Sequence, residues 1–341
     1  MDRKLEVELS LLIVHQGALG DFIVTFPVLK ALRVAFHRID GLCRLSFGRL
    51  AVDIGVLDHH YPLESARFAS LYADRADSDV GRFVSSYSHI LLFSFSSLLE
   101  RSMRKIHADR VYRIAPWPDE ADNVQATEFL SKQVLKCGIL SPVDREKFNH
   151  AIFTSMGDRG KNIPPGATIV LSPGAGSIDK RWPIERFLAV AIELSSLGWR
   201  PVILLGPAEA EIEMALKQRS EPLPAVVRCE SFSDLLTLLE SAGGYIGNDS
   251  GVSHLAAFLG LPVLVIFGAS DPVRWRPFGT NVWVVTPSVS SPEGSEGTRA
   301  DSSGPAKLKR ISAKQVLAAL DSAFRPDVSA KGDCLGPINM R

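Results

Sequence analysis

Short β-rich apolar runs alternate along this chain with stretches of helical periodicity, and three of the passages from run to helix go through glycine-bearing loops. Such alternation is the pattern of parallel sheets with helices on both faces. In the first half, Leu11–His15 reads as a buried strand, followed by a helix over about Phe22–Phe36. A second strand falls at Ile90–Phe95 and a helix at Thr127–Lys136. The stretch from Gly157 to Gly166, rich in Gly, Pro and charge, reads as a linker. The alternation then restarts, with strands at Thr168–Leu171, Val202–Leu205, Tyr245–Ile246 and Val263–Phe267. Between and after them come helices at about Ile184–Leu197, Glu209–Arg219, Asp234–Ser241 and Val252–Leu259. A Ser-, Gly- and Pro-rich loop over 287–305 precedes a last helix, Ala313–Phe324. With 341 residues, two α/β domains are expected, divided near residue 160, with a flexible tail over 326–341.

Composition removes several classes. Lys+Arg and Asp+Glu are both 38, a net charge of zero, whereas nucleic-acid binding ordinarily leaves a basic surplus; no nucleic acid is expected as partner. Cys43, Cys137, Cys229 and Cys334 are scattered without a CxxC pair, which points away from a zinc site or disulfide framework and toward a reducing cytoplasm. The apolar run Leu9–Val14 is too short for a signal-peptide core. The run from Leu255 to Phe267 is broken by Gly260 and Pro262, so it reads as helix then strand, not a membrane span. Peripheral contact with a membrane stays open.

Three loops could carry chemistry. In the first, His15-Gln-Gly-Ala-Leu-Gly-Asp21, Gly17 and Gly20 permit a tight turn and Asp21 falls at the start of a helix. Asp21 is either an N-cap carboxylate or a general base at a cleft edge. The second, from Ser172 to Pro183, runs a strand into Gly174 and Gly176, with Lys180 following. Exposed backbone N–H groups and a lysine suit a phosphate. It lacks the third glycine of a dinucleotide fingerprint, and the chain has no P-loop, which disfavours ordinary NAD or ATP sites. The third, Ile246 to His254, crowds Asn248, Asp249, Ser250 and His254 into one turn, with Ser250 and His254 sharing a helix face. The plain alternative makes Asp249 or Ser250 a helix cap and His254 a satisfied, partly buried histidine. Two anion-ready loops in one domain suggest a diphosphate. Asp77-Ser-Asp79 matches a D-x-D metal pattern but sits in a polar stretch with no strand before it, and reads as a solvated loop; no metal is expected.

These motifs, in order, resemble glycosyltransferase family 9, the ADP-heptose:lipopolysaccharide heptosyltransferases. The resemblance rests on Leu11 to Pro27, Ser172 to Pro183, Leu204 to Glu209, Gly247 to His254 and Gly268 to Pro272. It implies a GT-B fold of two facing Rossmann-like doubly wound domains: an acceptor domain over 1–160 and a donor domain over 161–325. It also implies inverting transfer of heptose from ADP-heptose, a substrate rather than a cofactor, to a lipid-linked or oligosaccharide core acceptor. By that resemblance Asp21 is the base and Lys180 neutralises the leaving diphosphate. Ser177, Ser250 and Gly251 hold phosphates, Asp249 and His254 meet the sugar or its phosphate, and Glu209 meets the ribose. His15 departs from the family, whose members often carry Lys or Arg there, and residues 40–150 carry no specific match. Two other readings stay open: a GT-B enzyme using another nucleotide sugar for a surface glycan, and a catalytically silent sugar-nucleotide-binding protein.

Overall fold

In the computed structural model, which describes residues 9–73, 77–154, 156–160, 162–268, 270–287 and 304–324, the apolar runs form two separate parallel sheets. The first contains β1 (Ser10–His15), β2 (Arg38–Cys43), β3 (His59–Pro62), β4 (His89–Phe93) and β5 (Val111–Ile114), in the order β3-β2-β1-β4-β5. The second contains β6 (Thr168–Ser172), β7 (Arg200–Leu205), β8 (Ala225–Arg228), β9 (Gly244–Asn248), β10 (Val263–Ile266) and β11 (Val282–Val285), in the order β11-β10-β9-β6-β7-β8. Leu11, Leu12, Ile13 and Val14 are all fully buried, as expected for a central strand covered on both faces. Winding reverses between β1 and β4 in one sheet and between β6 and β9 in the other. Loops leaving strands on either side of such a reversal part from each other and open a crevice at the strand ends.

The strands that the sequence pattern does not reveal are edge or polar ones. β2 holds the fully buried Asp40, which a hydrophobicity pattern reads as surface. Its Oδ2 accepts from Arg38 Nη2 at 2.6 Å and Tyr87 OH at 2.7 Å, so the buried charge is paired. In β8, Ala225-Val-Val-Arg228, no residue is fully buried.

The single helix expected over Phe22–Phe36 is instead three pieces: Leu19–Val24, Phe26–Ala31 and a 3₁₀ turn, Leu32–Val34. Pro27 has no N–H to continue the ladder, and Thr25 closes the first piece by donating its hydroxyl to Phe22 O at 2.6 Å. The Asp77–Asp79 stretch also differs from expectation. Asp77 accepts from Val80 N–H and caps the helix Ser78–Ser85, while Asp79 pairs with Arg67 at 2.8 Å. The aspartates start a helix rather than lie in a loop.

Helices Ala126–Lys136 and Pro142–Thr154 both pack on Phe26–Ala31 before the chain passes to the second sheet. The closing helix, Ala313–Phe324, packs on Ile184–Ser196 and β11. Most of the expected 287–305 loop and the tail over 326–341 lie outside the described residues. The two sheet units share a core: Phe26 meets Phe258 edge-on at 5.5 Å, and Phe47 meets Phe232 at 6.1 Å. No helix among the described residues is long and apolar enough to cross a membrane.

Candidate active site

The N-terminus of Leu19–Val24, from the first sheet's side, faces that of Gly251–Phe258, from the second. Small residues make the approach: a side chain at Gly20 would lie 3.7 Å from Gly251 Cα, and one at Gly251 would lie 3.1 Å from Gly20 N. Beside this meeting is a cleft of about 980 Å³. Ala18, Leu19 and Gly20 line it on one side, and Gly174–Gly176, Gly206–Glu209 and Ser250–Val252 on the other. Two helix N-termini and two glycine loops therefore present backbone N–H groups near one space, an arrangement suited to an anion.

Asp21 sits at the third position of its helix and not at the cap, which is Ala18. Its Oδ2 accepts the Ala18 backbone N–H at 3.2 Å. Asp21 is therefore not the expected N-cap: from the third position it reaches back to the N–H of the cap residue, which is one half of a capping box. Half-burial pushes the Asp21 carboxyl above the ordinary carboxylate range, against the Ala18 hydrogen bond and the positive charge of Lys180. Gly17 is needed beside it, because a Cβ there would lie 2.8 Å from the His15 ring and 3.1 Å from Asp21 Oδ2. His15 is buried between Phe22 and Phe93, and its Nδ1 accepts the Gly17 N–H at 3.2 Å. Burial lowers its pKa to about 3, so this position carries no positive charge at neutral pH.

Across the cleft, Lys180 Nζ pairs with Asp249 Oδ2 at 2.7 Å, and Ser270 Oγ donates to the same oxygen. Ser250, not Asp249, caps Gly251–Phe258 by accepting from Ser253 N–H. That frees Asp249 to hold the lysine. His254 is buried on the same helix, and burial lowers its pKa to about 4; Asp249 opposes that shift and Lys180 adds to it. It is a neutral imidazole at neutral pH. Glu209 lines the cleft with its Oε2 accepting the Gly206 N–H at 2.8 Å, and Gly174 leaves the space that its carboxylate occupies.

Of the residues expected from sequence, Gly20, Glu209, Ser250 and Gly251 line the cleft, and Lys180 and Asp249 form its adjoining ion pair. Asp21 lies within electrostatic reach of that pair. Ser177 is exposed and does not line the cleft. The sequence pattern missed Ser46, Arg49 and Asp53, which face the cleft from the helix Leu45–Asp53. Their spacing marks one polar helix face, which without a partner surface looks like a solvated one. It also missed the role of Asn248, fully buried at the end of β9. Asn248 Oδ1 accepts Trp182 N–H at 3.0 Å and its Nδ2 donates to Pro173 O at 2.8 Å, tying the two glycine loops together. Asn248→Leu leaves both backbone groups unpartnered and should cost on the order of 2–3 kcal/mol. A urea-unfolding midpoint unchanged from wild type would refute this role.

The family model for glycosyltransferase family 9 (heptosyltransferase) matches residues 145–302. Lipopolysaccharide heptosyltransferase 3 of Escherichia coli is 32% identical over 118 residues, covering 33% of this chain and 35% of that protein. Lipopolysaccharide heptosyltransferase 1 of Pseudomonas aeruginosa is 26% identical over 181 residues, 50% of this chain and 47% of that protein. The matched stretches therefore span half or less of these relatives. Among solved structures, a family 9 glycosyl transferase from Veillonella parvula superposes with a TM-score of 0.69 at 19% identity, over 93% of this chain and 97% of the other. The Escherichia coli heptosyltransferase WaaC with ADP superposes with a TM-score of 0.62 at 18% identity, over 92% and 100%. These likenesses span both sheets and show the GT-B fold. Over residues 145–302 the chain is thus similar to glycosyltransferase family 9, and both sheets together have the GT-B fold.

Proposed function

We propose that the chain is an inverting glycosyltransferase that moves a heptose from ADP-heptose to a lipopolysaccharide-core acceptor at the cytoplasmic side of the membrane. The observation that carries this reading is the convergence of Asp21, Lys180 and Asp249 where the Gly20 and Gly251 backbones meet. On this reading the unit around the first sheet, residues 1–160, takes the acceptor, and 161–325 takes the donor.

The chemistry follows from the groups present. Asp21 takes the proton of an acceptor hydroxyl as that oxygen attacks the anomeric carbon. The bond from that carbon to the β-phosphate oxygen breaks, and ADP leaves. A single displacement inverts the configuration. Negative charge gathers on the departing diphosphate, where Lys180 and the N–H groups of Ser250 and Gly251 lower its energy. Neutral His254 adds a donor or acceptor without adding charge, and Glu209 suits ribose hydroxyls because a carboxylate accepts from both. Ser177, on the exposed rim of its loop, reaches a phosphate only if that loop folds inward.

The test is ADP release from ADP-heptose, compared with UDP- and GDP-sugars, with and without a core oligosaccharide acceptor. Acceptor-dependent turnover with ADP-heptose should exceed that of the other donors by ~10-fold or more in kcat/KM. Preference for another nucleotide sugar, or donor binding without transfer, would overturn the assignment. ADP should also raise the melting temperature as its concentration passes its Kd.

A further inference from the structure

Winding of the first sheet reverses between β1 and β4, where loops leaving the strand ends part from each other, and aromatic side chains follow β4 and β5 there. Gln16 follows β1, and its Oε1 accepts from Ser94 Oγ, just past β4, at 3.2 Å. Gln16 Nε2 donates to Tyr72 OH at 2.6 Å. Next to Ser94, Phe95 is 53% exposed, although a phenylalanine gains by burial. Its ring meets that of Trp117, which follows β5, edge-on at 5.0 Å. Asp21 lies in the first turn of the helix that follows β1, at this same end of the sheet. Because β1, β4 and β5 are adjacent, β5 ends about 10 Å from β1, the span of a short oligosaccharide.

We infer that Phe95 and Trp117, with Gln16 and Tyr72 beside them, form the subsite that binds an uncharged sugar ring of the acceptor and leads its hydroxyl toward Asp21. This rests on the glycosyltransferase reading and names the acceptor class for it. The C–H face of a pyranose is apolar and faintly positive, and it packs on the electron-rich face of an aromatic ring. The half-polar rim supplied by Gln16 and Tyr72 can meet the hydroxyls at the ring's edge, while the buried Ser94 holds Gln16 in place. Charge favours a neutral ligand: residues 16–20, 94–97 and 115–122 contain no Lys or Arg, Asp119, Glu120 and Asp122 follow Trp117, and Arg101 reaches this region at Ser97 Oγ, 3.4 Å away. Arg274, which reaches this segment from the second unit, has its side chain only 13% exposed and donates to Glu120 O at 2.7 Å. An anionic sugar would find carboxylates here.

Saturation-transfer NMR on the full chain tests this, irradiating protein aromatic protons and reading transfer to methyl α-mannopyranoside, methyl α-glucopyranoside and methyl α-glucuronoside. The neutral glycosides should take up saturation more strongly than the uronate. Phe95→Ala and Trp117→Ala should each weaken binding roughly 3–10-fold, and Phe95→Tyr should keep it. Matching melting temperatures and ADP affinities would show the variants folded. In turnover, both alanine variants should raise the acceptor KM and leave acceptor-independent ADP release unchanged. Equal transfer to the uronate, or signals that persist in the Phe95→Ala/Trp117→Ala double variant, would overturn the subsite. A wild-type protein that binds no ADP yet keeps a ring-dependent sugar signal would count against the glycosyltransferase reading and for the sugar site.

Discussion

Replacing Asp21 with asparagine should lower turnover by ~10²–10⁴-fold while the protein folds and binds ADP as before. Asparagine keeps the oxygen that accepts the Ala18 N–H, so the turn before Leu19–Val24 survives. What it removes is the group that can take a proton. The pH dependence separates this role from a structural one. Burial holds the Asp21 pKa above the ordinary carboxylate range, and the base works only when deprotonated. Activity should therefore rise as pH climbs through that raised pKa, placing the acidic limb of kcat/KM higher than an exposed aspartate would. In Asp21→Asn, the residual activity should lose this limb. Asp21→Ala adds loss of the helix-start contact and should cost a further ~0.3–1 kcal/mol of stability. Full activity in Asp21→Asn would end the base proposal.

The central strands and the second unit's helices were legible because their signals are local. Val263-Leu-Val-Ile266 is apolar without interruption, and Ser231 and Asp234 announce the helix Phe232–Ser241 by capping it reciprocally. β2 was hidden because its Asp40 is buried by partners 2, 19 and 47 residues away, and long-range pairing leaves no mark on periodicity. The site divides in the same way. Ser250, Gly251 and Asp249 share one loop, so their grouping was readable. That Gly20 of the first unit closes on Gly251 of the second was not, since the contact depends on how two sheets pack. Asn248 looked like one more polar residue of its loop; only the fold puts Pro173 and Trp182 within its reach.

Lys180→Ala should reduce kcat by roughly 10²-fold, with a smaller effect on donor affinity, because the charge it neutralises grows as ADP departs. The geometry gives a second, independent readout. Lys180 draws the Asp21 pKa down from the value that burial alone would set. Without the lysine the carboxylate loses that support, Asp21 holds its proton to higher pH, and the acidic limb of the rate profile moves upward. Lys180→Arg keeps the charge and should restore the position of the limb. It should restore kcat only in part, since the guanidinium cannot take the 2.7 Å place of the ammonium against Asp249 unchanged. Lys180→Ala also leaves Asp249 with Ser270 as its side-chain hydrogen-bond partner among the described residues, which puts an uncompensated carboxylate beside the diphosphate site and adds repulsion to the lost attraction. Asp249→Asn tests that part: combined with Lys180→Ala it should recover some of the donor affinity but little of kcat, because the cation remains absent. If Lys180→Ala raises only KM and leaves both kcat and the pH profile in place, the lysine binds donor and transition state equally, and leaving-group stabilisation must come from the helix N-termini alone.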